Sequence, residues 1–208
     1  MSLGAVLVLG AVLACSGLML WIALRILPRR QADQQLSLLK VFGSAVELRC
    51  PGREGLTDRV AALCIAVGKD MGLPKRNLRQ MEDAARLRDI GLCAIPWKLI
   101  NERDSNDWTP AERATFAKHT EVSAAMLELV PTLRGLAPII RHRHGALNQE
   151  MPVESRIIAV AEAYVERASQ QGHLVARTYL VEEKGSTFDP RVVEACLRVL
   201  PSDRGPVR

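Results

Sequence analysis

Few side chains in this 208-residue chain can bind a metal ion or transfer a proton near neutral pH. The chain has four histidines, which are His119, His142, His144 and His173. An imidazole changes charge near neutral pH and binds metals through a ring nitrogen, so these residues indicate acid–base chemistry or metal coordination. A plainer alternative is that His142 and His144 form a solvated basic face with Arg141 and Arg143.

Several common kinds of site are excluded by motif. The chain has no glycine-rich phosphate loop, no G-x-S-x-G and no H-E-x-x-H. Its five cysteines are odd in number and form no C-x-x-C, so we expect neither a disulfide framework nor a zinc cluster. Buried free thiols in a reducing compartment are the remaining prediction.

Composition indicates a folded, helical protein. Hydrophobic residues make up 48% of the chain and charged residues 25%, which suits a packed core. Aromatic residues are only 4%, which disfavours an aromatic-rich β-sandwich. The net charge of +5 favours anions weakly, and it is too small to indicate nucleic acid as a partner.

Helix signals run through most of the chain after residue 55. Thr57 is the predicted N-cap of a helix whose apolar stripe follows at spacings of three and four residues: Val60, Cys64, Val67 and Met71. Thr109 to Glu112 has the pattern of a capping box with Pro110 at the first helical position. No segment alternates with period two, so the sequence predicts an all-α bundle.

The N-terminal run from Leu3 to Leu24 carries no charged side chain in 22 residues. A helix of that length spans about 33 Å, enough to cross a bilayer core of about 30 Å. Arg25, Arg29 and Arg30 follow directly, so the positive-inside rule places the rest of the chain in the cytoplasm. A cleaved signal peptide or a lipoprotein signal at Cys15 would need a basic start and a shorter apolar stretch.

These signals divide the chain into four parts. Residues 1–27 are predicted to be a transmembrane anchor and residues 28–55 a connector, which ends in the breaker cluster from Cys50 to Gly55. Residues 56–200 are predicted to form the helical domain, and residues 201–208 a flexible tail.

Short motifs follow one another in the helical part. They are M-E-D-A-A-R-L-R-D-I-G-L-C-A-I-P from Met81 to Pro96, W-T-P-A-E-R-A-T-F-A-K-H-T from Trp108 to Thr120, I-I-R-H-R-H-G from Ile139 to Gly145, P-V-E-S-R-I-I-A-V-A-E-A-Y from Pro152 to Tyr164, and F-D-P-R-V-V-E-A from Phe188 to Ala195. This series resembles the HD-GYP branch of the HD-domain metal-dependent phosphohydrolases. The resemblance implies an HD-domain-like helical bundle that hydrolyses cyclic di-GMP at a site with two or three metal ions.

The resemblance also implies a set of site residues, in which this chain departs from the family. Its remaining metal ligands would be Asp89, His119, His144 and Glu162. Arg88 and Arg143 stand where the family has histidine, and a guanidinium has no lone pair to give a metal. The family's Gly-Tyr-Pro loop is absent. We therefore expect at most one divalent ion (Mn, Fe or Zn), and none if the site is degenerate.

An arginine at such a position could neutralise Asp89 or bind a phosphate group. On this basis Arg88, Lys118 and Arg143 are candidate substrate-binding residues, and no catalytic residue is assigned. Structural interpretations remain open: Asp89 as a helix-end carboxylate, His119 as a packed histidine, and Glu162 as a surface residue.

Three functions follow from this reading. The first is a catalytically silent signalling or scaffold module, tethered to the bacterial inner membrane, that binds a partner protein or a cyclic dinucleotide. The second is an active cyclic di-GMP phosphodiesterase with a reduced metal site. The third is a plain helical scaffold that shares only ancestry with the family.

Overall fold

The structure is a computed structural model that describes residues 3–27, 34, 38, 41–50, 53–102, 107–143 and 150–201. The chain divides into two compact units, Met1–Lys40 and Val41–Arg208. Every regular element in the described residues is helical, and the β-type pairing among them is one isolated bridge between Lys184 and Phe188. The predicted all-α fold is confirmed.

In the first unit, helix α1 spans Leu3–Trp21 and continues into a π-helical turn at Ile22–Ile26. None of the helices in the described part of the chain is both long enough and apolar enough to cross a membrane. The transmembrane anchor therefore stays a prediction.

In the second unit residues 41–47 are helical, and eight further helices follow among the described residues. They are α2 Leu56–Asp70, α3 Lys75–Leu87, α4 Trp97–Asn101, α5 Pro110–Glu128, α6 Ala137–Arg141, α7 Val153–Gln171, α8 His173–Glu182 and α9 Pro190–Val199. Two short 3₁₀ helices lie between them, at Ile90–Ala94 after α3 and at Arg134–Leu136 before α6.

Helices α2 and α7 form the centre of this unit. Helix α2 packs against α3, α7 and α9, and α7 packs against α8 as well. Val60, Cys64 and Val67 of the predicted stripe are fully buried, as are Ile157 and Ile158 of α7. Burial of such side chains stabilises a fold by about 1.5–3 kcal/mol each. The stripe read from the sequence is therefore the face of α2 that builds the core.

Residues 41–50, assigned to the connector from the sequence, pack within the second unit. Cys50 is buried with Leu92 and Ile95, and Val46 packs against the same cluster. Gly43 lies so close to its neighbours that a Cβ there would meet the Arg86 carbonyl oxygen at 3.1 Å.

Two predicted helix starts have different outcomes. The capping box at Thr109 is confirmed, because its hydroxyl accepts from the Glu112 amide and the Glu112 carboxylate accepts from the Thr109 amide. The N-cap at Thr57 is wrong, since Gly55 occupies that position with φ 70°. Glu47 caps the helix instead, with its carboxylate accepting from the amides of Gly55 and Thr57.

All five cysteines are free thiols. Cys50, Cys64 and Cys196 are buried as expected, and burial raises the pKa of Cys196 to about 12. Cys15 and Cys93 are exposed, so the prediction of burial is wrong for these two.

Candidate functional site

Arg88 and Asp89 lie in the two-residue gap between α3 and the first 3₁₀ helix. Ser123 of α5 holds this gap, because its hydroxyl lies 2.9 Å from the Arg88 carbonyl oxygen and accepts from the Gly91 amide at 2.8 Å. A Cβ on Gly91 would lie 2.0 Å from the backbone oxygen of His119. Glycine at this position therefore lets the gap approach α5 and brings Asp89 close to His119.

Asp89 is buried among three guanidinium groups. Its Oδ1 accepts from Arg143 Nη2 at 2.7 Å, and its Oδ2 lies 3.2 Å from Arg88 Nη2 and 3.4 Å from Arg53 Nη2. Arg88 is 0% exposed and Arg143 is 2% exposed. Both oxygens of the carboxylate are therefore engaged by fixed positive charges.

His119 projects into the same cluster from α5. Its Nδ1 lies 2.6 Å from the Phe116 carbonyl oxygen, which can only accept, so Nδ1 carries the proton. Its Nε2 then accepts from Arg143 Nη2 at 2.8 Å. Burial, together with the Arg143 charge, lowers the pKa of His119, which agrees with a neutral ring.

Helix α7 contributes two carboxylates one turn apart. Glu162 is 6% exposed and its Oε1 accepts from Arg88 Nε at 3.2 Å, with Arg143 Nη1 at 3.7 Å. Glu166 accepts from Arg53 Nη2 at 2.6 Å. Arg53 thus links Glu166 to Asp89. Helix α5, helix α7 and the loop before α2 therefore meet in one network of polar contacts.

The carboxylates of this network titrate differently. Burial alone would raise the pKa of Asp89, but the charges of Arg88, Arg143 and Arg53 hold it well below its ordinary value. Burial and the neighbouring Glu162 charge raise the pKa of Glu166 to about 7. At neutral pH Asp89 is therefore ionised, whereas Glu166 is partly protonated.

Most of the predicted site residues come together. One cluster contains five of them: Arg88, Asp89, His119, Arg143 and Glu162. Together with Arg53 and Glu166, these residues form what is called the arginine cluster below. His144 lies outside the described residues. Lys118 is exposed on α5, so its neighbour His119 enters the cluster without it.

Sequence reasoning missed Arg53 and Glu166. Arg53 was placed in the breaker cluster, and nothing in its local sequence indicates a partner 36 positions away. Glu166 carried a usable signal, because residues four apart on a helix lie on the same face and Glu162 was already a candidate.

A pocket of about 250 Å³ opens beside the arginine cluster. It is lined by Arg143, Glu162 and Glu166, and by residues of α8 and of the loop before α9, including Tyr179, Thr187 and Phe188. Arg156, on the same wall, is bound to Asp189 at 2.7 Å. A small molecule in this pocket would face both charges and aromatic rings.

Comparison with known proteins identifies the family. The profile of the HD domain family matches residues 40–192, which is most of the chain. The chain belongs to the HD domain family. The expected relation to HD-domain phosphohydrolases is confirmed. The match begins at residue 40, directly before residues 41–50.

Curated relatives of this HD domain are phosphodiesterases of cyclic dinucleotides. The chain is 26% identical to the cyclic di-GMP phosphodiesterase response regulator RpfG of Xanthomonas campestris over 80% of its own length and 48% of that protein. It is 25% identical to a cyclic di-GMP phosphodiesterase of Thermotoga maritima, over 80% of this chain and 50% of that one. A 3'3'-cGAMP-specific phosphodiesterase 2 of Vibrio cholerae is 24% identical over 75% of this chain and 33% of that protein.

The chain therefore spans about half of the length of the first two relatives and a third of the other.

HD-domain phosphohydrolases typically depend on divalent metals, but the site residues that the structure describes in this HD domain do not fit such an ion. The lone pairs of Asp89 and of His119 Nε2 meet guanidinium nitrogens at distances of 2.7–3.4 Å. A metal at the same place would lie against those fixed charges and be repelled. Among the described residues, no group of three or more His, Cys, Asp or Glu side chains is placed to hold a metal ion.

Proposed function

We propose that this chain is a catalytically silent HD-domain module of cyclic dinucleotide signalling, which acts by binding a partner protein or a cyclic dinucleotide. The observation that carries the proposal is the pairing of Asp89 and His119 with Arg143 at 2.7 and 2.8 Å. These are the atoms that a catalytic metal would need. Arginines fill the positions from which the family's metals would be bound, so water activation by a metal has no support at this site.

Loss of hydrolysis leaves the pocket beside the cluster as a place for a ligand. Its lining residues include Arg143 and Arg156, together with the aromatic residues Tyr179 and Phe188. Phosphate oxygens pair with guanidinium groups, and bases stack on aromatic rings, so a cyclic dinucleotide is a suitable small-molecule ligand. A binding module that keeps its ancestral ligand without turnover is consistent with both features.

A second candidate is an active phosphodiesterase with one metal ion. The observation that favours it is the convergence of Asp89, His119 and Glu162 in one buried cluster. This candidate requires the guanidinium groups of Arg88 and Arg143 to move aside when a metal binds.

The deciding experiment uses the purified full chain in detergent. Bound Mn, Fe and Zn are measured, and hydrolysis of cyclic di-GMP is assayed with and without added metal. We expect no stoichiometric metal and no turnover; nucleotide binding that weakens in Arg143→Ala would identify a receptor. Turnover that disappears in His119→Ala would contradict the proposal and establish the second candidate.

We also propose that the module is held at the bacterial inner membrane by a single N-terminal span, with its HD domain in the cytoplasm. The support is the uncharged run from Leu3 to Leu24, followed by Arg25, Arg29 and Arg30. Membrane fractionation of the full chain tests this arrangement. Recovery in the soluble fraction, or cleavage of the N-terminus, would contradict it.

A further inference from the structure

The arginine cluster contains three guanidinium groups and three carboxyl groups. Arg53, Arg88 and Arg143 contribute three positive charges, and Asp89, Glu162 and Glu166 contribute up to three negative charges. An imidazole that stays neutral completes the cluster. The charges of the described carboxylates are therefore balanced by guanidinium groups without any added cation.

The carboxylates could not be held so closely without that positive charge. Asp89 is 8% exposed and Glu162 is 6% exposed, and both lie against the same two buried arginines. Burying an ionised carboxylate without a partner costs several kcal/mol, and like charges nearby add to that cost. In a metal-dependent relative, the bound cations would supply this neutralisation.

We infer that the guanidinium groups of Arg88 and Arg143 replace metal ions as the cations that hold this HD domain together. They are positioning residues: each joins α7 to Asp89 in the gap between α3 and the first 3₁₀ helix, and Arg143 also fixes His119 on α5. The folded state is therefore independent of divalent metal. The inference rests on the metal-free premise of the proposed function but concerns stability, so it is tested without any hydrolysis assay.

The first measurement is thermal unfolding of the full chain in detergent, with EDTA and with added Mn²⁺ or Zn²⁺. We expect the same Tm in each condition and no ion retained after desalting. A Tm that falls on chelation, or an ion bound at one equivalent, would overturn the inference.

The second measurement replaces both arginines. In R88H/R143H, imidazoles join Asp89, His119 and Glu162, so we expect a lower Tm in EDTA and a gain of about 5–10 °C when metal is present at about a hundred times its Kd. The matched control is R88M/R143M, whose side chains are long but neutral and poor ligands for these metals. We expect this control to lose stability without rescue by metal.

If R88H/R143H folds but ignores metal, the arginines do not stand in metal positions and the inference fails. A third variant covers the case in which R88H/R143H does not fold. R88K/R143K keeps both charges, and we expect it to retain more of the wild-type Tm than R88M/R143M does. Equal losses in these two variants would contradict an electrostatic role.

A phosphodiesterase activity of the wild-type chain would overturn the proposed function. It would leave the comparison of the Lys and Met variants to decide the role of the two charges.

Discussion

At the scale of single residues, the direction of hydrogen bonding separates this site from a metal centre. A neutral imidazole offers one lone pair, whereas a guanidinium only donates. With arginine at positions 88 and 143, the contacts of these two side chains with Asp89, His119 and Glu162 each occupy an acceptor atom of those residues. The same neighbours that would surround an ion thus become the acceptors of an ion-pair network.

Asp89→Asn tests how strongly that network depends on its central carboxylate. The change keeps the shape but leaves Arg88 and Arg143 buried with less negative charge, so we expect a loss of about 3–5 kcal/mol in the free energy of unfolding. Urea denaturation measures it. The matched control is Asp58→Asn, which breaks the pair with Arg86 at a side chain that is 68% exposed and should cost at most about 1 kcal/mol. Equal losses would contradict a special role for the cluster.

Glu166 gives the cluster a dependence on pH. Its pKa is raised to about 7 in the folded chain, above an unfolded value near 4.3, so the folded state binds the extra proton between these pH values. The contribution of Glu166 to stability is therefore full below about pH 4.3 and is lost as pH rises towards 7. Its side chain is 36% exposed, so water reduces the effect.

Glu166→Gln removes this titration while leaving Asp89 and His119 in place. We expect the stability of wild type relative to the variant to fall as pH rises from about 4.5 to 7 and to level off above. Urea unfolding of both proteins at several pH values measures the difference, in which the titrations of the other groups largely cancel. A difference that stays constant over that range would contradict the raised pKa.

Part of this cluster could be predicted from the sequence alone. The order of motifs nominated Arg88, Asp89, His119, Arg143 and Glu162, and all five meet. It could not supply Arg53, because a loop residue is brought to Asp89 only by the packing of α2, α3 and α7. The hydrogen-bond directions also required coordinates, since they depend on which atoms approach within 3.5 Å.

At the scale of elements, the sequence predicts a helix boundary when the residues that fix it lie within one turn. The capping box at Thr109 uses residues within one turn, so the sequence alone determines that start. The end of α3 is different, because the helix stops at Leu87 and a 3₁₀ helix follows at Ile90. That change is imposed by contact with α5 through Ser123, which is distant in sequence.

Gly91→Ala tests the contact between the 3₁₀ helix and α5. An alanine Cβ would lie 2.0 Å from the His119 carbonyl oxygen and 2.6 Å from the Ser123 amide nitrogen, and neither backbone atom can yield easily. We expect a loss of about 3 kcal/mol or more, measured by thermal or urea unfolding.

Gly135→Ala is the control for that variant, because the nearest atom to its Cβ is a flexible side-chain nitrogen of Gln80 at 3.8 Å. It should change stability little. If Gly91→Ala is tolerated equally well, close packing of Gly91 against α5 does not hold Asp89 near His119.

At the scale of the whole molecule, the folded unit extends towards the N-terminus beyond the helical motifs. The family match begins at residue 40 and the compact unit at Val41. The breaker residues that marked the predicted domain boundary lie later in the chain, at 50–55. Composition conceals this, because residues 41–50 contain polar and apolar side chains in a pattern that suits a connector as well as a docked helix. The residues that face inward, Gly43, Val46 and Cys50, are recognisable only once their partners are known.

Two shortened chains test where the domain begins. A chain starting at Val41 keeps the Glu47 cap on α2, the buried Cys50, and both bonds of Arg53 to Asp89 and Glu166. A chain starting at Leu56 loses all of these and exposes the apolar cluster around Leu92. Loss of a cap costs about 1 kcal/mol, and each lost buried side chain costs more, so several kcal/mol separate the two.

We expect the chain that starts at Val41 to unfold in one cooperative transition, and the one that starts at Leu56 to unfold at much lower urea or to aggregate. Circular dichroism during urea titration compares them directly. Arg53→Met in the longer chain isolates one contribution, because it removes the link between Glu166 and Asp89 without shortening the chain. If both chains unfold at the same urea concentration, residues 41–55 are a connector after all, and Arg53 has no structural role in the cluster.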